Sequence, residues 1–535
     1  MSLAFIPGYV VKFKQSCGDS IALPAQKTIW KEGTYHMKKL LALVMALAMV
    51  MSVMVMPAFA EEVKKPDKIT IFIDGTVVTL ENGQAEFKAK WEELTGIELE
   101  IIQPDHAAYF DNLQQTIGSG EWPDVFIMPT TYYSAYAAEG ALWDMTEAWE
   151  NSETKNSGRF HGDNTIEMLK IDGRLYGFSA GIGNGSVTYV KKAWLDAVGI
   201  TEVPTNWAEY TAMLDAFVNN DPDGDGVADT FGLSAAGFIG PEAPWVNYLP
   251  EFYWDAYPNF YQDADGVWHD GFTEPAMEAA LARLNEGYTK GWLDPTTLTN
   301  GTSDVRNKFY DDTLGAFTYW AGTWATNLKT NLEKNGLSGE LIPMAPLAEA
   351  LPYFDRMPPA WCISTACENP EGVFKYFIDT MLDGGEMQEL WTYGAEGFHW
   401  STAAETVLGV EYEEGQFHML ENPNSPGTLY TKNHLDPALS LADFADPSFD
   451  HRAEVVRPEN LESVAVFSAN SRMAWMVPTT DAMLEYNSDL TALKNRLIAN
   501  VTMGELTYEQ AMAAFEAEGG AAASQAIVDS LNALK

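Results

Sequence analysis

Short apolar runs and longer amphipathic stretches alternate along the chain from residue 69 onward. Ile69 to Ile73, Ile97 to Ile102 and Val125 to Met128 are too brief for helices and read as strands. Between the first two, Ala85, Phe87, Trp91 and Leu94 recur at roughly 3.6-residue spacing, which puts one apolar stripe on a helix that Gly96 ends. A second helix is expected over Tyr109 to Ile117, closed by Gly118-Ser119-Gly120. Strand, helix, strand, helix, strand in that order predicts an open α/β sheet with mainly parallel strands. From Thr205 helices dominate, over Trp207 to Val218, Glu274 to Lys290 and Pro370 to Leu382, and a strand zone returns at Gly315 to Tyr319. No fixed-period repeat or low-complexity linker separates these parts.

A different pattern sits nearer the start. Lys38 and Lys39 precede an almost wholly apolar stretch from Leu40 to Met56, and Pro57-Ala58-Phe59-Ala60 supplies the small-x-small site of a signal peptidase before Glu61. The stretch approaches the roughly 20 residues a membrane span needs, but the cleavage site and the acidic Glu61-Glu62 exit favour removal over anchoring. Residues 37–60 are therefore expected to be a signal peptide, residues 1–36 a spurious or disposable extension, and residues 61–535 the exported protein, extracellular, at the cell surface or periplasmic. No cysteine lies in or just after the apolar run, so no lipid attachment is expected.

Composition narrows the function. With 46% hydrophobic and 20% charged residues the chain is globular, and its exported part exceeds one domain in length. A net charge of −44 leaves no basic footprint for nucleic acid. It also disfavours a polyanionic substrate without excluding one, because salt screens distant charges within about 8 Å. Cleavage would leave Cys362 and Cys367, which export permits to pair; the sequence leaves open whether their geometry allows it.

The sharpest local motif is Asp221-Pro222-Asp223-Gly224-Asp225-Gly226-Val227-Ala228-Asp229. Carboxylates at the first, third, fifth and ninth places, with glycine at the sixth and the Val227 carbonyl at the seventh, match a calcium loop. Gly232 stands where such a loop has glutamate, so Asp229, a neighbour or water must complete the shell. The alternative is a solvated acidic turn. Seventeen tryptophans suit sugar binding, since apolar sugar faces stack on flat rings. Tyr132 and Tyr133 after one strand, and Trp320 and Trp324 after another, stand where α/β sheets place ligands, and Glu396, His399 and Trp400 follow as candidates. Gly177-Phe178-Ser179-Ala180-Gly181 fits a nucleophile elbow in letters, but the required helix after the serine is missing. A glycine-rich crossing between lobes accounts better for it. The histidines show no zinc spacing, and no phosphate-binding loop appears.

Several segments, in order, resemble one family. They are Trp91-Glu92-Glu93-Leu94-Thr95-Gly96-Ile97, Ile117-Gly118-Ser119-Gly120-Glu121-Trp122-Pro123-Asp124-Val125, Asp172-Gly173-Arg174-Leu175-Tyr176-Gly177, and Val190-Lys191-Lys192-Ala193-Trp194-Leu195 with Pro204-Thr205-Asn206-Trp207. The series continues with Cys367-Glu368-Asn369-Pro370-Glu371 and Tyr393-Gly394-Ala395-Glu396-Gly397-Phe398-His399-Trp400. Together they resemble the extracellular solute-binding proteins of ABC transporters, in the sugar and oligosaccharide group. The resemblance implies a two-lobed α/β fold of the type II periplasmic-binding kind, with residues 61–180 plus 345–390 forming the N-terminal lobe and 181–344 plus 391–535 the C-terminal one.

It also implies a monomeric, non-enzymatic receptor that closes on a sugar and delivers it to a membrane permease. Gly322 and Trp324 resemble the stretch of maltose-binding-type proteins where tryptophan stacks on sugar, and the acidic loop resembles structural calcium loops of some relatives. The missing lipoprotein cysteine departs from the Gram-positive pattern and leaves surface retention open. Peptides or lipid precursors are alternative ligands; a secreted glycosidase or a calcium-dependent adhesion protein are alternatives of another class.

Overall fold

The computed structural model describes residues 63–534 apart from 75–81, 106–107, 129, 184, 239–247 and 357. The expected extension and signal peptide lie outside the described residues. Residues 63 to 535 form one compact unit.

The chain opens with β1 (Lys68–Phe72), α1 (Gln84–Thr95), β2 (Glu98–Ile102), α2 (Tyr109–Gly118) and β3 (Val125–Met128). After residues 178–185 come β4 (Ser186–Lys191), α3 (Trp207–Asn219), α4 (Pro275–Thr289), α5 (Thr302–Tyr310), β5 (Ala316–Trp320), α6 (Thr323–Lys334) and β6 (Leu341–Met344). The return runs through β7 (Tyr353–Asp355) to β8 (Ala360–Ile363). Last come α7 (Glu386–Tyr393), α8 (Pro458–Ala469), β9 (Ser471–Met473), α9 (Asp481–Met503), α10 (Tyr508–Ala517) and α11 (Gly520–Asn532).

Two sheets organise these elements. The first has the order β8-β3-β1-β2, with β1 parallel to β2 and β3 and the returning β8 antiparallel to β3. All four residues of β3 are buried, as a strand covered on both faces must be. Its core takes Phe87 and Trp91 from the predicted stripe of α1, together with Trp361, Phe377 and Trp391. The second sheet, β6-β4-β5, is antiparallel in both pairings. Parallel contacts beside it are isolated bridges outside its strands, Phe231 with Leu314 and Leu233 with Leu293. Val187 and Tyr189 of β4 face one core with Phe317 and Leu328, while Val190 faces the other with Phe217 and Trp292. The segment after β8 serves both sheets: Leu435, Leu441 and Ala442 join the first core, and Leu497, Phe515 and Ile527 join the second.

Three stretches of chain cross between the sheets. Phe178 and Trp361 exchange backbone bonds, N–H to O at 3.0 Å one way and 2.7 Å the other. β9 lies parallel to β7, pairing Tyr353 with Ser471 and Asp355 with Met473. Gly183 packs so tightly against this bundle that a Cβ there would come 2.4 Å from Asp355 Oδ1 and 2.5 Å from the Arg356 carbonyl. Ser179 lies in this crossing and not on a strand-to-helix elbow; its Oγ donates to the Gly181 carbonyl at 3.0 Å. Cys362 and Cys367 are unpaired. The stretch expected as one helix over Pro370 to Leu382 changes winding twice, to a π turn over Phe374–Ile378 and a 3-10 turn over Asp379–Leu382.

A buried ion pair and a buried carboxyl stand in and beside the second core. Lys494 of α9 donates to Asp270 Oδ1 at 2.7 Å, and Ser524 of α11 donates to Oδ2 at 2.6 Å, so one carboxylate ties both C-terminal helices to the middle of the chain. Glu251 Oε1 accepts from Thr188 Oγ1 at 2.6 Å, and burial pushes its carboxyl up to about 7. Asp270→Ala leaves an uncompensated ammonium and should cost about 3–5 kcal/mol in denaturant unfolding, with part recovered by adding Lys494→Met. For Glu251 the folded protein holds a proton that the unfolded chain releases near pH 4.5. Stability from this group is therefore full below that pH and is lost as pH rises through about 7, a loss of about 3 kcal/mol. Unfolding followed from pH 4.5 to 8 should show this decline in the parent, and a flatter profile in Glu251→Gln.

Candidate functional site

β5 delivers Trp320 at its end, and Gly322 then turns the chain at φ 80°, a value other residues rarely adopt, to start α6. That start is pinned: Gly322 N–H donates to Ser463 Oγ at 3.0 Å and Thr323 N–H to Asp436 Oδ2 at 3.1 Å, an acid where a helix N-terminus favours one. Trp324 is thereby fixed one residue into the helix. Its ring meets Tyr319 edge-on at 4.8 Å, with the Arg306 guanidinium over it at 5.1 Å.

Trp324 lines a cavity of about 1500 Å³. α5 and α6 contribute Arg306, Tyr310, Thr326 and Asn327; the facing wall comes from His399, Tyr412, Gln416, Tyr430, Lys432 and Asn433. Rings interleave with amide and hydroxyl groups, the mixture that binds a ligand with apolar faces and polar edges. His399 is buried, accepts the Ala395 N–H at 3.1 Å, and has its imidazole pKa lowered by burial, so it stands neutral at the cavity wall.

The other predicted ligand residues stand elsewhere. Trp320 faces Arg356, whose guanidinium lies 4.2 Å over its ring and donates to Tyr248 Oη at 3.1 Å. Tyr132 stacks on Phe110 at 4.5 Å. Tyr133 is fully buried, its hydroxyl donating to the Leu169 carbonyl at 2.6 Å and accepting from Tyr176 N–H at 3.0 Å. Glu396 is exposed and accepts from Thr402 Oγ1 at 3.5 Å. Trp400 is core: its Nε1 donates to the Gly394 carbonyl at 2.8 Å and its ring stacks on Phe417.

Trp324 and His399 thus share the cavity; Trp320 and Tyr132 belong to separate aromatic pairs. Sequence reasoning missed Arg306, Arg356, Tyr430 and Lys432, for which no motif gave a signal. It also missed Asp355 at the crossing, whose carboxyl is pushed up to about 6 by burial.

In the acidic loop Asp221, Asp223 and Asp225 each bring an oxygen within 4.8 Å of the others. Gly226 N–H donates to Asp221 Oδ2 at 3.1 Å and Val227 N–H to Asp225 Oδ1 at 2.7 Å, which curls the loop around the carboxylates. Burial raises the Asp223 pKa, and its Oδ1 has no hydrogen-bond partner. Three converging carboxylates with an unpartnered oxygen fit a hard cation such as calcium. Asp229 and Val227 are exposed. Gly232 explains the missing glutamate: a Cβ there would lie 2.6 Å from Leu214 Cδ2 and 2.9 Å from the Trp292 carbonyl.

Among curated proteins the chain is 21% identical to Lipoprotein LipO of Bacillus subtilis over 453 residues, covering 80% of this chain and 85% of that one. It is 27% identical over 150 residues to the polygalacturonan/rhamnogalacturonan-binding protein YtcQ of the same organism, covering 27% and 29%. The crystal structure of the alginate-binding protein AlgQ2 without calcium ion superimposes with TM-score 0.59 at 16% identity, over 88% of this chain and 98% of that one. The bacterial extracellular solute-binding protein family matches residues 79–380. With more than half its length matched, the chain belongs to that family, with its two-lobed type II α/β fold and its work of binding a solute rather than transforming one.

Proposed function

We propose that this is the exported receptor of an ABC importer, which captures a saccharide in the cavity beside Trp324 and delivers it intact to a membrane permease. The observation that carries the reading is the 1500 Å³ cavity, larger than a single sugar needs and walled by aromatic, amide and hydroxyl side chains. That AlgQ2 and YtcQ are named for binding alginate and polygalacturonan/rhamnogalacturonan supports a carbohydrate ligand. Trp324 and Tyr430 supply stacking faces, and Asn327, Gln416 and Asn433 supply hydroxyl partners.

The lobes comprise residues 61–180 plus 345–390 and 181–344 plus 391–535, and the three crossings serve as hinge. Ligand touching both walls favours the closed form by its differential affinity, and no covalent step is needed. The chain works as a monomer outside the cytoplasm, its signal peptide removed. Calcium at Asp221, Asp223 and Asp225, with the Val227 carbonyl and Asp229 completing the shell, neutralises the clustered carboxylates and stiffens the loop between α3 and the bridge residues Phe231 and Leu233.

Thermal unfolding of residues 61–535 with a panel of oligosaccharides and short peptides tests the ligand class. A saccharide at a hundred times its Kd should add about 2.7 kcal/mol and be recovered unchanged, whereas shifts with peptides alone would overturn the carbohydrate reading. In titrations Trp324→Ala should weaken binding about tenfold or more, roughly the worth of one good ring contact, without lowering the unfolding midpoint of the free protein; unchanged affinity would remove Trp324 from the site. Calcium should raise the unfolding midpoint of the parent and leave Asp223→Asn nearly unmoved. An equal rise in both proteins would place the ion elsewhere.

A further inference from the structure

The charge around the cavity runs against the charge of the chain. Acidic residues outnumber basic ones 76 to 32 overall. Around the cavity the order reverses: Arg306, Lys329, Lys432 and Arg457 stand against Glu333, Glu454 and Glu459. Lys329 is answered by Glu459 at 3.7 Å. Among the described residues no carboxylate lies within 4.0 Å of Arg306, Lys432 or Arg457. In so acidic a protein, cations left without acids along one cavity are placed for an anion the protein does not supply.

Arg306 is also held in position by neutral groups. Its guanidinium lies 5.1 Å over Trp324 and 5.9 Å over Tyr319, Nη2 donates to Ser303 Oγ at 2.9 Å, and Nη1 reaches Tyr319 Oη at 3.4 Å. Aromatic faces and hydroxyls orient such a group without neutralising it. A planar fork fixed in this way, with donors to spare, suits a carboxylate taken side-on through two hydrogen bonds.

We propose that the cavity selects an acidic oligosaccharide, a chain of hexuronate units, whose carboxylates meet Arg306 and Lys432 while a sugar ring packs beside Trp324. This rests on the reading that the cavity holds a saccharide. The chain's overall negative charge opposes it only at a distance, because screening at physiological salt confines that repulsion to about 8 Å. Within contact range the local cations decide. Uronate units also account for the mixed wall: each presents an apolar ring face, several hydroxyls and one carboxylate, matched by the rings, the amides and the free cations.

Calorimetric titration of residues 61–535, in calcium, with trisaccharides of galacturonate, mannuronate and glucuronate and with their methyl esters tests this. The ester keeps the ring and hydroxyls and removes the charge. At least one free acid should bind tenfold or more tighter than its ester, and added salt should weaken the acid alone. Arg306→Gln and Lys432→Gln should each remove most of that preference while leaving ester affinity in place, and Arg306→Lys should fall between, keeping charge without the fork. Esters or neutral glucans binding as tightly as the acids would overturn charge selection and leave the saccharide reading standing. Binding of peptides with no saccharide bound would overturn both.

Discussion

Where the chain passes between the two sheets, backbone hydrogen bonds hold its crossings side by side, and the architecture follows from that constraint. Phe178 and Trp361 bond to each other as the outgoing and returning strands pass, and Tyr353 to Asp355 pairs with Ser471 to Met473 as the third crossing joins them. A chain that must return beside its own exit cannot build each lobe from one continuous stretch. β8 therefore enters the first sheet as its one antiparallel strand, and the segment after it supplies both cores. The crossings leave little room: Gly183 lies against Asp355, whose desolvated carboxyl sits at the junction.

The second core carries its own polar anchors. Asp270 accepts from Lys494 and Ser524 and also from its own loop, at Phe272 N–H. Buried ions of this kind are poor sources of stability and good sources of register. Here the register concerns two helices that arrive last in the chain and must find one site on a middle segment. The Thr188–Glu251 contact does the equivalent for β4, tying that strand to the short helix Pro250–Tyr253.

The strands and most helices were legible because their signals are local. Apolar runs at β1, β2 and β3 and, on α1, Phe87 and Trp91 report burial directly, whereas Ala85 of the expected stripe is exposed and Leu94 half-buried; the predicted bounds lie within a residue or so of those observed. The stretch from Pro370 to Leu382 was legible as buried but not in its winding: periodicity reports which residues face inward, and a π turn can serve the same inward face. Tyr132 and Tyr133 follow β3 not in a loop but consecutively on the helix Thr130–Ala138, where they point in different directions, so Tyr133 enters the core and Tyr132 meets Phe110. Trp324 was legible because the glycine before it and the strand end together mark a turn toward a cleft. Arg306 and Lys432 were not, because whole-chain charge averages over the surface, and only the tertiary fold shows which few cations share a wall.

The antiparallel return of β8 has a consequence for how the molecule is made. Ile363 pairs with Val125 across a stretch of sequence that contains the whole second sheet. Loop-closure entropy must be met before such a contact stabilises anything, so its formation is slow relative to local helices. Until β8 arrives, β3 presents an open edge, the kind of surface that invites pairing with another chain. A polypeptide threaded outward from its N-terminus would display that edge throughout the emergence of everything between. The order of synthesis thus leaves the first sheet open at β3 until β8 emerges, and the second core open longer still, until α9, α10 and α11 follow.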